Sequence, residues 1–184
     1  MTPALVQFAR ALDYAAHKHT DQRRKGVRGE PYINHLIEVA SLVTEATGGE
    51  DPMATVAAVL HDTLEDTDAT REELEERFGP EVASIVAEVT DDKRLAVAER
   101  KQRQVDHAPH ASHRAKLVKL ADKTSNLRSM QTSPPADWKL ERKIEYFEWA
   151  ARVVQGLRGT NAGLEALFDA AHREGLDQLR GKKS

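Results

Sequence analysis

The chain has 184 residues, 40% hydrophobic and 31% charged, the balance of a soluble globular protein long enough to bury the core of one domain. A formal charge of −3 with only 5% aromatics argues against a general attraction to nucleic acid and against a base-stacking platform. Cysteine is absent, which excludes disulfides, thiolate zinc sites and cysteine nucleophiles; no apolar run spans a membrane and the N-terminus lacks a signal-peptide pattern, so a cytoplasmic protein with no membrane partner is expected.

Helical periodicity runs from end to end, and no two-residue alternation rich in β-branched residues interrupts it. Leu5, Phe8, Leu12, Ala15 and Ala16 predict a first helix over residues 3–19. A basic loop, QRRKGVRGEPY, follows, broken by Gly26, Gly29 and Pro31. Leu36, Val39, Ala40 and Val43 stripe a second helix that ends near Gly48-Gly49, and Asp51-Pro52 reads as an N-cap with proline at the first helical position. The third helix carries MATVAAVL, apolar on nearly every side, and belongs in the middle of a bundle. Thr70 and Glu73 form a capping-box pattern before a short acidic helix ended by Gly79-Pro80.

Further helices are predicted over residues 80–89 and 95–107. Beyond the breaker Pro109, a long helix over 112–130 turns Leu117, Leu120, Ala121, Thr124 and Leu127 inward. After Pro134-Pro135 come helices over 138–157 and 161–174, then a frayed GKKS tail. The prediction is an all-α, single-domain helical bundle over residues 1–184, with its core at about 4–161.

Two local charge extremes lie within this pattern. Lys18, Arg23, Arg24, Lys25 and Arg28 oppose only Asp21, whereas nine acids between His61 and Glu81 oppose Arg71 and Arg77. Such segments are either ordinary solvated faces or the two halves of a site that holds a polyanion and a divalent cation.

The heptad HDTLEDT, His61–Thr67, places His61, Asp62, Glu65 and Asp66 at the end of the apolar third helix. Buried without partners, each charge would cost several kcal/mol, on the order of magnitude expected for ionised groups in an apolar interior. Either the helix has emerged into solvent there, or a cation resolves the conflict. His35, next to the basic loop, and Asp122, in a polar strip with Lys119 and Asn126 beside the core, are the available further ligands. Two imidazoles and two carboxylates without sulfur suit manganese, iron(II), magnesium or zinc, and an N/O shell with water is a hydrolytic design. His107, His110 and His113 are evenly spaced, but Pro109 interrupts them; His17, His19 and His172 read as surface residues.

The order His35…His61-Asp62…Asp122 resembles the HD-domain metal-dependent phosphohydrolases. RRKGVRGEPYINH, HDTLEDT, VTDDK with the following ERK, KLVKLADKTSNLR and EYFEWAARVVQGLRGTN extend the likeness to the hydrolase half of RelA/SpoT-type alarmone enzymes, above all its stand-alone metazoan-type small form. The resemblance spans about residues 4–161. It implies release of pyrophosphate from the 3′ position of guanosine 3′,5′-bis(diphosphate) or its 5′-triphosphate analogue, with manganese as the usual ion. It also implies His35, His61, Asp62 and Asp122 as metal ligands and Glu65 and Asp66 as the catalytic acidic pair, with Glu65 moving the proton.

For the substrate, Arg24 and Lys25 fit the phosphates, Tyr32 a stacked base, Asn126 a ribose or phosphate oxygen, and Arg142 with Tyr146 the far side of the site. The chain departs from the family pattern at Leu36, at Thr124-Ser125 and at Ala96-Val97, and the last two bear on how base and distal phosphates are held. Competing readings are a related phosphatase acting on NADPH at its 2′-phosphate or on adenosine-based alarmones, and a non-catalytic nucleotide-sensing module.

Overall fold

The structure is a computed structural model that describes residues 3–181; Lys182, Lys183 and Ser184 of the expected tail lie outside the described residues. Among the described residues the chain forms helices and no strand, with a lone antiparallel bridge between Arg23 and Pro31 closing the basic loop. The helices are α1 (Ala4–Lys18), α2 (Ile33–Ala46), α3 (Pro52–Leu60), α4 (Thr63–Asp66), α5 (Arg71–Phe78), α6 (Pro80–Val89), α7 (Val97–His107), α8 (His113–Thr132), α9 (Leu140–Gln155) and α10 (Ala162–Gly181), with a 3₁₀ turn over Ala108–His110.

The apolar α3 is the hub. Every residue from Ala54 to Leu60 is buried, and α1, α2, α6 and α8 all pack against it. Full burial of side chains such as Leu60, Val56 and Val59 contributes about 1.5–3 kcal/mol each, which drives the bundle to close around this helix. The two predicted caps are in place, Asp51 accepting from the Ala54 N–H and Thr70 from the Glu73 N–H, and Ser112 caps α8 as well by accepting from the Ala115 N–H. The last helix is longer than periodicity indicated. It runs to Gly181 and lies along α8, burying Leu164, Phe168, Ala171, Leu176 and Leu179 in the common core. Gly175 permits the close approach of α10 to α9, since a Cβ there would sit 2.2 Å from the Phe147 ring.

One departure shapes the site. The predicted third helix does not continue through the heptad but stops at Leu60, and α4 starts anew at Thr63. The carbonyls that α3 leaves unpaired at its end are taken by side chains. His61 Nδ1 lies 2.8 Å from Ala58 O, and Thr63 donates its hydroxyl to Leu60 O at 2.6 Å.

Candidate active site

Three helices converge on the heptad. The first turn of α2 carries His35, the end of α3 leads into His61 and Asp62, and the middle of α8 supplies Asp122. His35 and His61 are buried, 3% and 4% exposed. His35 Nε2 lies 3.3 Å from Asp122 Oδ1 and 3.7 Å from Asp62 Oδ2. His61 Nε2 lies 3.0 Å from Asp62 Oδ2 and 3.8 Å from Asp122 Oδ1. Four groups from three separate segments of the chain thus meet at one point, and among the described residues His35, His61 and Asp62 form the clustered set of ligand atoms within 4.8 Å of one another.

Both imidazoles face this point with Nε2. His61 Nδ1 donates to a backbone carbonyl, so in the neutral ring that a cation would bind Nε2 carries the lone pair, and that atom is buried without a properly directed hydrogen bond. Burial opposes protonation of His61, yet Asp62 and Asp122 outweigh it and raise the group to about 9. Burial opposes ionisation of Asp62 as well, and the His61 and His35 rings overcome it, holding the carboxyl far below its usual range. Burial likewise opposes the charge on Asp122, and Lys123, 3.0 Å from Oδ2, together with His35 holds that carboxyl well down. The pocket therefore draws positive charge to the gap between four donors, and this donor set fits a divalent cation.

Surrounding groups orient the donors. Tyr32 donates its hydroxyl to Asp62 Oδ2 at 2.6 Å, and Asn126 donates to Asp122 Oδ1 at 2.5 Å. Asn126 also accepts from Arg24 Nη2 at 3.1 Å, which links the basic loop to the floor of the site. Gly26 holds this loop against Ser133: a Cβ at Gly26 would lie 2.0 Å from Ser133 O. The loop's closure is completed where Arg28 N–H donates to Ser133 Oγ.

A cleft of about 520 Å³ lies beside the donors, walled by Arg23, Arg24, Lys25, Glu65, Asp66, Lys93 and Arg100 and bounded toward the donors by Tyr32 and Asn126, which bond Asp62 and Asp122, with Tyr146 also in its lining. Cations outnumber acids in this wall, as a polyanionic ligand requires. Glu65 is raised to about 7, chiefly by burial, with Asp62, Asp91 and Asp66 adding to the rise and the Asp91 N–H opposing it. Asp66 is gripped by Gln22 at 2.8 Å and by the Lys93 ammonium.

Several expectations change. Tyr32 is no free platform for a base: His19 stacks on it at 5.3 Å, the Arg24 guanidinium lies over its ring, and its hydroxyl is committed to Asp62. Arg142 is exposed and rests on Trp138, 4.2 Å above the ring, outside the cleft lining. His19 is buried rather than on the surface, because its ring fills the space between Gln22 and Tyr32. His172 is half-buried against Phe147 and Phe168. Lys119 is buried and donates to Val89 O. Ser125 does not face the cleft at all; it is fully buried beneath His35.

Sequence reasoning gave no role to Lys93, Arg100, Gln22 or Trp138, all of which line the cleft. Lys93 and Arg100 stood inside quoted motifs, VTDDK and ERK, so a signal was present for two of them.

Comparison with known proteins bears on this geometry. The HD domain family profile matches residues 11–147. The mouse guanosine-3′,5′-bis(diphosphate) 3′-pyrophosphohydrolase MESH1 is 55% identical over 172 residues, covering 93% of this chain and 96% of the relative. The Drosophila melanogaster protein of the same name is 48% identical, covering 92% and 94%. A solved structure described as a metazoan ortholog of SpoT that hydrolyzes ppGpp and plays a role in starvation responses superposes with a TM-score of 0.88 at 48% identity, over 91% of this chain and 94% of that one.

Proposed function

The chain belongs to the HD-domain family, and on that premise we propose that it is a guanosine-3′,5′-bis(diphosphate) 3′-pyrophosphohydrolase, releasing pyrophosphate and leaving GDP or, from the 5′-triphosphate analogue, GTP. The observation that carries this reading is the cation-lined cleft of about 520 Å³ whose Tyr32 and Asn126 hydrogen-bond Asp62 and Asp122 of the four-residue convergence. The family requires a divalent metal ion, and we assign manganese to these four residues. When bound, the ion supplies Lewis-acid polarisation of the phosphoryl group and acidifies the attacking water.

The chain's own groups do the rest. Arg24 and Lys25 bind substrate phosphates, and Arg24 is held for that task by Asn126. Glu65, poised at about 7 by burial, accepts the proton of the attacking water. Asp66, fixed by Gln22 and Lys93, positions the water and does not move the proton. Lys93 and Arg100, facing the acidic pair, offset charge that gathers on the departing pyrophosphate. Tyr146 bounds the nucleoside end. Among the described residues no helix is long and apolar enough to cross a membrane, consistent with a small-molecule substrate met in solution.

The test is a panel of initial rates with one manganese-loaded preparation. The proposal expects guanosine tetraphosphate to be turned over with a kcat/KM at least tenfold above NADPH and above adenosine-based analogues. Preferred removal of the NADPH 2′-phosphate would replace this reading with the phosphatase one, and no turnover of any substrate would leave a sensing module.

A further inference from the structure

The two buried histidines are oriented by different means. His61 Nδ1 meets a backbone carbonyl, Ala58 O, which can only accept, so its tautomer is fixed by the main chain. His35 Nδ1 meets the Ser125 hydroxyl at 2.9 Å. A hydroxyl can donate or accept, so by itself it leaves the tautomer of His35 undecided. Ser125 has a second neighbour: its Oγ lies 2.7 Å from Glu38 Oε2. A carboxylate only accepts, so the single hydroxyl proton goes to Glu38, and Ser125 must then accept from His35 Nδ1–H. Glu38 is itself held at its other oxygen by Arg128, 3.3 Å away.

We propose that Ser125 and Glu38, steadied by Arg128, are positioning residues that lock His35 in its Nδ1-protonated form and so present Nε2 as a ligand to the cation. The inference rests on the metal-site reading above and deepens it. It reassigns Ser125, one residue of the Thr124-Ser125 departure from the family pattern, from substrate recognition to the support of His35. The two residues lie 87 positions apart on α2 and α8, so the relay also ties the two helices that carry His35 and Asp122. Losing such an outer partner typically lowers metal affinity about 10–100-fold.

The test compares wild type with Ser125→Ala, Ser125→Thr and Glu38→Ala. Glu38 is half-exposed, so its removal leaves the fold intact; circular dichroism checks each variant. The first readout is nitrogen NMR of the metal-free proteins labelled at histidine. Wild type and Ser125→Thr should show His35 wholly Nδ1-protonated, whereas Glu38→Ala should show mixed tautomers; His61, held by the backbone, should not change in any of them. The second readout is titration with manganese alone, where Ser125→Ala and Glu38→Ala should bind about tenfold more weakly and Ser125→Thr should match wild type. An unchanged His35 tautomer together with unchanged manganese affinity in Glu38→Ala and Ser125→Ala would overturn the proposal. A wild-type chain that binds no manganese while His35 stays Nδ1-protonated would instead refute the ligand reading and leave the tautomer lock standing.

Discussion

His61 and Asp62 are neighbours in the chain, yet His61 Nε2 and Asp62 Oδ2 lie 3.0 Å apart and face the same point. Successive residues of an unbroken α-helix cannot do this, since they point away from one another around the axis. The stop at Leu60, enforced by the His61 ring and the Thr63 hydroxyl on the last carbonyls of α3, is what turns both side chains into the site. Asp122 closes the cage from α8. Asp122→Ala should therefore abolish manganese binding and lower kcat at least a hundredfold while keeping the helical far-ultraviolet spectrum. Calorimetric titration and steady-state rates check this; full activity in the variant contradicts the proposed coordination.

The acid side of the pH profile reports Glu65. Burial raises this carboxyl to about 7, and a base must be ionised to accept a proton. Activity should thus fall as pH drops through about 7 in a field like that of the metal-free site, and through a somewhat lower value once a bound cation stabilises the carboxylate. Glu65→Gln should cost on the order of a hundredfold or more in kcat and flatten that limb. A limb that persists unchanged in Glu65→Gln assigns the proton transfer elsewhere.

Arg24 contacts the ground-state phosphates in this account and touches none of the four donors by hydrogen bond; its partner is Asn126. Arg24→Ala removes a charge-assisted contact of about 1.5–3 kcal/mol, roughly a tenfold to hundredfold rise in KM with a smaller change in kcat. The opposite split in the kinetic constants would move Arg24 into the chemical step.

Gly26 is required by contact and not by a left-handed backbone. A methyl group there would lie 2.0 Å from Ser133 O and 2.4 Å from Ser133 Oγ, so the basic loop must lift. Gly26→Ala should raise KM several-fold, with a melting temperature within a few degrees of wild type, because the loop lies at the rim and not in the core. Unaltered kinetics would show that the loop's seat does not govern phosphate binding.

Acid stability has a separate root in Asp51. Burial works against its charge, but Arg114, 2.7 Å away, and the Ala54 N–H hold the carboxyl below its usual value. A folded-state value below the unfolded one stabilises the native state above the unfolded pKa of about 4, and this contribution fades as pH falls through the folded value. Asp51→Ala, which also removes the cap of α3, should cost about 1–2 kcal/mol at neutral pH and progressively less below pH 4. Denaturant titrations at neutral pH and in acid measure the difference, and an equal loss at both would remove the ion pair from the explanation.

Much of this was legible in the sequence because it is local. The caps at Asp51 and Thr70 and the apolar stripes depend on neighbours three or four residues away, and most helices appear where those patterns put them, the end of the third and of the last excepted. The break at His61 was not legible, since side chains competing for helix-end carbonyls leave no mark in hydrophobic periodicity. The true place of Tyr32 was hidden because its partners, His19 and Asp62, come from other elements. The seat of Arg142 was hidden for the complementary reason: one-turn spacing from Tyr146 places two residues on one face of α9, but packing on Trp138 decides where the guanidinium lies. The Ser125–Glu38 pair, 87 residues apart, is visible only once α2 and α8 are side by side.

The central claim is that a cation held by His35, His61, Asp62 and Asp122 directs hydrolysis at the 3′-diphosphate. Phosphorus NMR of a guanosine tetraphosphate digest by the manganese-loaded protein tests it most directly. Equal amounts of pyrophosphate and GDP are predicted, with neither product formed by Asp122→Ala. Orthophosphate as the first product, or pyrophosphate release that survives Asp122→Ala, would contradict it.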